Sequence, residues 1–510
     1  MPAELAIVVL AAGKGTRMKS QRAKVLHQAG GLPLVLHVLR AVKGLVPGGK
    51  TRRAPKPVWV VIGHQADTVH SLVEPFGART VLQRPQLGTG HAVAQALPGL
   101  PRGVKRLIVL PGDAPLITTE TLRALLRSHT ETQSAATILS ADLDDPTGYG
   151  RIVRAGSGEV EAIIEQSALG PEHRRLREIN SGMYCFERAP LAGVLGRLGR
   201  RNVHREYYLT DAIALLRQGG ARVSAYIAEN AEEVLGVNTH AELAQADAVL
   251  HRRKAAALMA NGATLYRPET MVIDPDVTIG PDTIIERGAE LRGATRIGAR
   301  CRIGPFCILR NAVLADDVTV RPHSLVVDSR LGSDVVVGPF AHLRDGAVIR
   351  QGARIGNYVE VKKSVVGERT KAQHLTYLGD ATIGRDTNIG AGTITCNYDG
   401  VNKNPTSIGN HVFVGSGTEL VAPVRVGGGA YIAAGSTVTE NVPGDALAIA
   451  RSRQVNKPGW SRTRRQKLAA AKARKEEPAV AVHVANAAPA KPARRARKPR
   501  RRARRRARRR

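Results

Sequence analysis

From about residue 271 onward an aliphatic residue followed by glycine recurs on a six-residue beat. The pairs are Ile279-Gly280, Ile297-Gly298, Ile303-Gly304, Val337-Gly338, Ile355-Gly356, Ile383-Gly384, Ile389-Gly390, Ile408-Gly409, Val414-Gly415 and Val426-Gly427. A six-residue period holds one short strand and one turn, so three repeats close a triangular coil and successive coils stack into a prism. The aliphatic residue is expected to point inward, with the glycine permitting the corner. A narrow prism accepts Ile, Val and Ala more readily than rings, which suits a chain with 3% aromatics and 52 glycines. A β-sandwich with many glycine turns is the alternative, and ten pairs mostly in phase disfavour it. The phase slips between 304 and 337, between 356 and 383, and between 390 and 408. These slips predict loops leaving the prism, notably around 362–370 and 397–406. Cys301 and Cys307 lie six apart and are expected to stack on one prism face as core residues.

The preceding half of the chain has a different texture. Residues 6–10 form a fully apolar strand that runs into Ala11-Ala12-Gly13-Lys14-Gly15-Thr16-Arg17. Residues 58–62 and 106–110 read as further strands, the latter ending at Pro111-Gly112-Asp113, with helical patterns at 34–42 and 119–126. Apolar strands alternating with helices imply a mainly parallel sheet covered on both faces, with ligands beyond the carboxyl ends of the strands. Residues 241–259 contain neither Pro nor Gly and read as one helix stopped by Asn261-Gly262.

The segment from Leu10 to Met18, followed by Lys24-Val25-Leu26, carries the first chemistry. Its small residues expose backbone N–H groups, and Arg17 and Lys24 add positive charge, a combination suited to a polyphosphate. It matches neither the P-loop nor the dinucleotide fingerprint. The string resembles the signature of sugar-nucleotide pyrophosphorylases. Gln83 with Gln86-Leu87-Gly88-Thr89-Gly90-His91-Ala92, Gly112-Asp113-Ala114-Pro115-Leu116, Asp145 to Arg151, Ile164-Glu165, Glu178 to Gly182, Glu206 to Asp211 and Gly236-Val237-Asn238 extend the likeness. Joined to the six-residue repeats, residues 5–460 resemble the bifunctional bacterial N-acetylglucosamine-1-phosphate uridyltransferase / glucosamine-1-phosphate acetyltransferase family.

That resemblance implies an α/β nucleotidyltransferase (Rossmann-like) domain over 1–240, a linker helix over 241–262 and a left-handed parallel β-helix of hexapeptide repeats over 263–460. A disordered basic tail over 461–510 completes the chain. It implies that Leu10, Ala11, Ala12, Gly13, Lys24, Gln83, Gly88 and Thr89 hold the uridine nucleotide, with Gly112 and Asp113 beside it. Gly150, Glu165 and Asn180 would contact the N-acetylglucosamine unit, and Asp113 and Asn238 would bind Mg²⁺, whose octahedron phosphates and waters complete. The sugar phosphate would attack the α-phosphorus of UTP in line and expel pyrophosphate. Arg17, Lys24 and the metal would stabilise the developing charge, and no side-chain nucleophile is needed. Pro111 departs from the family, where Tyr is expected before Gly-Asp. It permits the turn but removes a side-chain hydrogen bond and a backbone N–H.

The second constellation lies inside the repeats: Arg344, then the strings beginning at Asn357, Lys371 and Asn388, then Cys396 to Gly400 and Lys403. Acyl transfer to an amine needs a base for the amine proton, and histidine titrates near neutral pH. The resemblance makes His374 that base. It assigns Arg344, Lys362, Tyr377 and Asn388 to glucosamine phosphate, and Ala391, Asn397, Tyr398, Ser416, Ala434 and Arg451 to acetyl-CoA, with Lys403 within reach of a CoA phosphate. His64, His91 and His323 read as ordinary structural or surface residues. The family's prisms are trimers with acetyl-transfer sites between neighbours, so a homotrimer is expected.

Charge is concentrated at the end of the chain. The net charge is +33, and residues 464–510 hold 20 Lys or Arg against Glu476 and Glu477. Such a tail cannot bury enough apolar surface to fold alone and suits nonspecific contact with RNA, DNA or another polyanion. No aromatics are interleaved, which argues against sequence-specific reading. Four dispersed cysteines without a CxxC pair suit reduced thiols, and the short apolar run at the start suits neither a signal peptide nor a membrane span. A cytoplasmic enzyme is therefore expected, with UTP, acetyl-CoA and glucosamine 1-phosphate as substrates. Two other readings are a single-activity nucleotidyltransferase whose prism is only a scaffold, and a nucleic-acid-binding protein organised by its tail. The cluster around His374 argues against the first, and the second leaves both constellations unexplained.

Overall fold

The computed structural model describes residues 4–45, 58–156 and 158–476. The chain divides into two units, 1–451 and 452–510.

The first unit opens with nine strands in one sheet: β1 (Leu5–Ala11), β2 (Val58–Ile62), β3 (Arg79–Leu82), β4 (Arg106–Pro111), β5 (Ala136–Asp142), β6 (Gly150–Arg154), β7 (Val160–Ile164), β8 (Glu178–Glu187) and β9 (Val223–Ile227). Their order is β9-β5-β8-β4-β1-β2-β3, with the β6–β7 hairpin attached to β8. The expected parallel core is present, since β1 pairs parallel with both β2 and β4, while β8 runs antiparallel to β4 and β5.

Alternation along β1 shows why this strand lies at the centre. Ile7, Val9 and Ala11 enter one apolar cluster with helices α1 (Leu34–Leu45), α2 (Ala66–Val73) and α4 (Thr119–Glu131). Ala6 and Val8 enter the other, with α3 (Thr89–Ala96), α5 (Arg188–Leu195) and α6 (Thr210–Gln218). Period-two alternation with both faces apolar is what a doubly covered strand requires. The carboxyl ends of β1 and β4 lie side by side, Leu10 against Pro111, so the glycine-rich turn and Asp113 leave the same edge.

Helix α7 (His240–Ala260) follows. Thr239 and Glu242 form a reciprocal capping box at its start, which satisfies otherwise unpaired N–H groups. The helix braces two bodies: Asp247 accepts from the Gly30 N–H at 2.7 Å, and Lys254 donates to the Pro275 carbonyl at 2.8 Å.

From Thr264 the chain winds a triangular parallel β-helix. One interior column runs Ile285, Ile303, Val320, Val337, Ile355, Ala372, Ile389, Val414 and Ile432, each paired with the next. Each Ile or Val of the column, buried from water, contributes about 1.5–3 kcal/mol.

Three expectations about the prism are corrected. Except at Gly338, whose φ is +91°, the glycines of the aliphatic-Gly pairs do not take the left-handed conformation of the corners. Asp282, Arg300, Asp317, Asp334, Arg369 and Asp386 hold the left-handed corner conformation instead. Glycine is needed because the next coil passes overhead: a Cβ on Gly390 would sit 2.6 Å from the carbonyl carbon of Gly415 and from the Ser416 nitrogen. Of the three phase slips, only that between 390 and 408 marks an excursion. Ile303 pairs with Val320 and Val320 with Val337 at a spacing of 17 rather than 18, and Ile355, Ala372 and Ile389 do the same. One residue is dropped at a corner such as Asn311 or Lys363, and 362–370 stays in the wall through the strand Val365–Val366. Finally, Cys301 and Cys307 are buried but do not stack. Six residues lead to the next side of the same coil, and stacking needs a whole coil.

Helix α8 (Trp460–Glu476) belongs to the second unit. The segment read as a tail without structure therefore begins as a helix, which its Ala, Leu, Lys, Gln and Arg residues favour. None of its residues is buried, as expected for a segment that adds nothing to a core. Residues 477–510 lie outside the described residues.

Candidate active sites

A cavity of about 570 Å³ opens over the carboxyl edge of β1 and β4. Leu10, Ala11, Ala12, Gly13, Arg17, Lys24, Gln83, Gly88, Thr89, Asp113, Glu165, Asn180 and Asn238 all line it, so the structure brings together almost the whole first constellation. Gly112 and Gly150 flank it instead. The Gly112 N–H donates to the Leu10 carbonyl, and a Cβ on Gly150 would approach the Glu165 carboxylate. Pro111 also lines the cavity.

The glycine-rich turn is shaped by the lysine beneath it. Gly15 has φ +68°, and a Cβ there would lie 2.5 Å from the Cβ of Lys24, so only glycine lets that side chain pass. Lys24 then reaches Asp113 in an ion pair and donates to Asn238 Oδ1 at 2.8 Å; Arg17 donates to the same oxygen at 2.7 Å. Asn238 is fixed by its own N–H, which donates to Glu242 at the start of α7. The Val237 N–H donates to the Asp113 carbonyl, which ties this loop to β4.

One carboxylate and one carboxamide oxygen therefore converge on a single cation, the Lys24 ammonium. Hard oxygen donors around a positive charge also fit Mg²⁺, which keeps several waters and phosphate oxygens when few protein ligands are present. Among the described residues there is no group of three or more His, Cys, Asp or Glu that could hold a metal ion.

At the sugar end of the cavity, burial pushes the Glu165 carboxyl up from its usual range, against the hydrogen bond it accepts from Thr210 Oγ1 at 3.1 Å. Asn180 Nδ2 donates to the Tyr184 hydroxyl at 2.9 Å, and burial raises that phenol. Sequence reasoning gave Thr210 and Tyr184 no role. Thr210 sits in a quoted motif, whereas Tyr184 looks like any core residue of a strand.

The second site lies on the prism. Asn357 sits one coil below His374, paired with it in register, and Asn357 Oδ1 lies 3.1 Å from His374 Nδ1. A proton on Nδ1 donated to that oxygen leaves the Nε2 lone pair free. His374 is exposed. Beside it runs an edge of left-handed residues, Phe306, His323, Phe340, Tyr358 and Leu375. The first four stack ring on ring at 5.1–5.4 Å. Beyond His374 the same edge turns to Gly392, Gly417 and Gly435, each again with positive φ. Ala391 and Ser416 lie alongside, their carbonyls accepting from the N–H groups of Gly417 and Gly435, and Arg451 approaches Gly435. The edge is bulky up to His374 and open after it.

Arg344 and Lys362 pair in register at the far side of the adjoining face. Glu360 holds the Arg344 guanidinium at 2.7–2.8 Å and, despite the cost of burial, pushes it up. The nearby Lys403 ammonium pushes Lys362 down. In the next coil the register position is Gly379, and the Tyr377 ring leans over the space a side chain there would fill, its hydroxyl 3.5 Å from Asn397 Nδ2. Asn397 also donates to Asp380 at 2.6 Å, and Tyr398 pairs with Lys403 in the excursion that follows. Asn388 lies in register with Lys371. One chain thus gathers His374, Ala391, Ser416, Ala434 and Arg451 along one edge, and Arg344, Lys362, Tyr377 and Asn397 along another. Asn357 and Glu360 stand in a string quoted from the sequence but were given no role there, though a 17-residue coil places Asn357 directly under His374.

A nucleotide-sized cavity over a glycine-rich turn, followed by a hexapeptide prism with a histidine on its open edge, defines a nucleotidyltransferase joined to a hexapeptide acyltransferase. The family comparisons agree: residues 7–180 match the MobA-like NTP transferase domain, 273–352 the GMPPB C-terminal domain and 405–440 the hexapeptide repeat of succinyl-transferase. The chain is 48% identical over 465 residues to the bifunctional protein GlmU of Koribacter versatilis, covering 91% of this chain and 97% of that protein. It is 47% identical to the bifunctional protein GlmU of Pelobacter propionicus, covering 89% and 98%. With that of Corynebacterium efficiens it shares 46%, covering 92% and 96%. The chain belongs to the bifunctional GlmU family.

Proposed function

We propose that this chain makes UDP-N-acetylglucosamine in two steps, acetylating glucosamine 1-phosphate on the prism (263–460) and uridylylating the product in the α/β domain (1–240). The product is a precursor for cell-envelope glycans. The observation that carries the reading is the convergence of Arg17, Lys24, Asp113 and Asn238 in a cavity that also holds Gln83 and Glu165.

In the acetyl transfer the sugar amine attacks the thioester carbonyl, His374 Nε2 takes the amine proton, and CoA leaves as the thiol. Arg344 and Lys362 offer two cations to the sugar phosphate, with Tyr377 beside them, and Asn388, which stands in register with Lys371 on another part of the wall, is assigned to the same ligand. Gly392, Gly417 and Gly435 leave a trough along Ala391, Ser416 and Ala434 for the pantetheine arm. From His374 to Arg451 is four coil steps, about 19 Å at ~4.8 Å per step. Asn397, Tyr398 and Lys403 complete the CoA contacts.

In the uridylyl transfer a phosphate oxygen of N-acetylglucosamine 1-phosphate attacks the α-phosphorus of UTP and pyrophosphate leaves. Leu10 to Gly13, Gln83, Gly88 and Thr89 hold the nucleotide, Gly150, Glu165 and Asn180 orient the sugar, and Arg17 and Lys24 face the developing charge. Asp113 and Asn238 would hold Mg²⁺, which when bound neutralises the polyphosphate. Lys24, now paired with Asp113, exchanges that partner for phosphate.

A homotrimer is part of this reading. His374 and the Arg344–Lys362 pair occupy different edges of one prism, and the exposed ladder from Phe306 to Leu375 gives a second copy an apolar surface beside His374. No helix among the described residues is long and apolar enough to cross a membrane, and we place the enzyme in the cytoplasm. The basic end, beginning with α8, makes nonspecific contact with polyanions. Supplying glucosamine 1-phosphate, acetyl-CoA, UTP and Mg²⁺ to the purified protein, and omitting each in turn, tests the two half-reactions. Asp113→Ala is expected to abolish pyrophosphate release and spare thiol release, and His374→Ala the reverse. Wild-type turnover of both variants in their own assays would refute the assignment.

A further inference from the structure

Gln83 is almost wholly buried, yet it lines the nucleotide cavity. Its Nε2 makes two contacts with protein: it lies 2.9 Å from the Gly88 carbonyl oxygen and 3.0 Å from His91 Nδ1. A carbonyl oxygen only accepts, so the Gly88 contact requires the amide nitrogen, not the oxygen, on that side. The second amide proton then points at His91 Nδ1, which must accept it. In a neutral imidazole that leaves the proton on Nε2, 3.1 Å from Gln95 Nε2, and the exposed Gln95 amide turns over to present its oxygen to it. His91 is held in place by the α3 backbone and packs against the Tyr207 ring at 6.3 Å.

We propose that His91 is a positioning residue that sets base selectivity by locking the Gln83 carboxamide with its oxygen toward the cavity. Both N–H groups of the amide are occupied, so the group turned to the nucleotide is a pure acceptor. An acceptor at that point suits a base that offers a ring N–H, as uracil does at N3. It opposes cytosine, whose N3 offers a lone pair. Turning the amide over would set its oxygen against the Gly88 carbonyl and would also force the His91 proton from Nε2, where the Gln95 amide can accept it, to Nδ1. The Gly88 contact alone leaves one of those two penalties, and His91 adds the other. A histidine that reads from the sequence as an ordinary residue thus acts on the base through Gln83, without touching the base itself.

The inference rests on the uridylyl-transfer reading, and the test separates the two. Pyrophosphate release is measured for wild-type protein, His91→Phe and His91→Asn, with UTP and with CTP, and thiol release from acetyl-CoA is followed in parallel. Phe keeps a ring beside Tyr207 but has no acceptor. Asn places an acceptor oxygen near the position of Nδ1. The expected result is a fall of about fivefold in the UTP-over-CTP ratio of kcat/KM for His91→Phe. That corresponds to the ~1 kcal/mol net worth of one neutral hydrogen bond. The fall should lie mainly in KM, with thiol release unchanged and the ratio substantially restored in His91→Asn. A wild-type ratio in His91→Phe overturns the inference. So does a His91→Asn variant that loses as much selectivity as His91→Phe, since the residue would then act by packing. Failure of the wild-type protein to release pyrophosphate from UTP overturns the functional reading beneath it.

Discussion

Replacing Asn357 by Ala tests how the prism prepares its base. Asn357 contributes one hydrogen bond, at 3.1 Å, to the Nδ1 side of His374, and sits directly beneath it in the coil register. Without that acceptor the imidazole protons redistribute between the two nitrogens and the ring is free to turn. Losing one neutral hydrogen bond is worth about 1 kcal/mol, or roughly fivefold in rate, and loss of the favoured tautomer brings the expected fall in kcat to about tenfold. Asn357 lies on an outer edge of the prism, so the fold should survive, which an unchanged melting temperature would confirm. The assay is thiol release from acetyl-CoA with glucosamine 1-phosphate, against pyrophosphate release as an internal reference. Asn357→Asp sharpens the test. A carboxylate accepts the same proton but favours the imidazolium, so activity should persist at alkaline pH and its acid limb should move to higher pH. If Asn357→Ala keeps the wild-type kcat across the profile, the Nδ1 contact does not prepare His374 and the tautomer argument is wrong.

Gly390→Ala should lower the apparent melting temperature by several degrees, an overpacking cost of about 1–3 kcal/mol. Gly428→Ala, whose Cβ would come no closer than 3.4 Å to the Asn410 carbonyl oxygen, should be nearly neutral by the same calorimetry. Burial holds the His37 imidazole below its ordinary 6.5 against the hydrogen bond to the Ala29 carbonyl, so the unfolded chain takes up this proton first. Stability should then fall as pH drops below about 6.5, and His37→Gln should flatten that slope in melting curves. Sedimentation should give a trimer, and a stable monomer with full acetyl transfer would refute the shared site. A chain ending at Lys457 should leave a polyanion column at lower salt than the full chain while keeping both activities; an unchanged elution salt would dismiss the tail as a polyanion contact.

The α/β half was legible because its signals are local. A strand buried on both faces is apolar throughout, and the turn that follows β1 carries its chemistry in consecutive residues. The prism was legible as a period but not as a geometry. Glycine marks the beat equally well whether it supplies a corner or clears space for the next coil, and only the stacked backbone separates the two. Pairs across the fold were out of reach for another reason. Thr210 against Glu165 is set by how elements pack, and nothing in their spacing announces it; Gln83, Gly88 and His91 stand in one stretch, but their contacts depend on how the loop before α3 turns back. The exposed ladder escaped because Phe306, His323, Phe340 and Tyr358 repeat at 17 or 18 residues, which a search by sixes passes over.

A solenoid builds a site in a way that compact domains do not. Every position on its wall recurs one coil above and below, so a residue's neighbours are its own structural equivalents. At the height of His374 that equivalence is broken twice. Below, the equivalent residue is Asn357, which binds the imidazole; above, it is Ala391, which leaves room. The neighbouring edge changes at the same height, from Leu375 to Gly392. On the other edge Arg344 and Lys362 are followed by Gly379, and the vacancy is filled by Tyr377 from within its own coil. Uniform repeats would give neither the oriented base nor the open trough. The proposed chemistry therefore depends less on any single string of residues than on where along the prism the repeat stops being regular, and both edges stop being regular at the same coil.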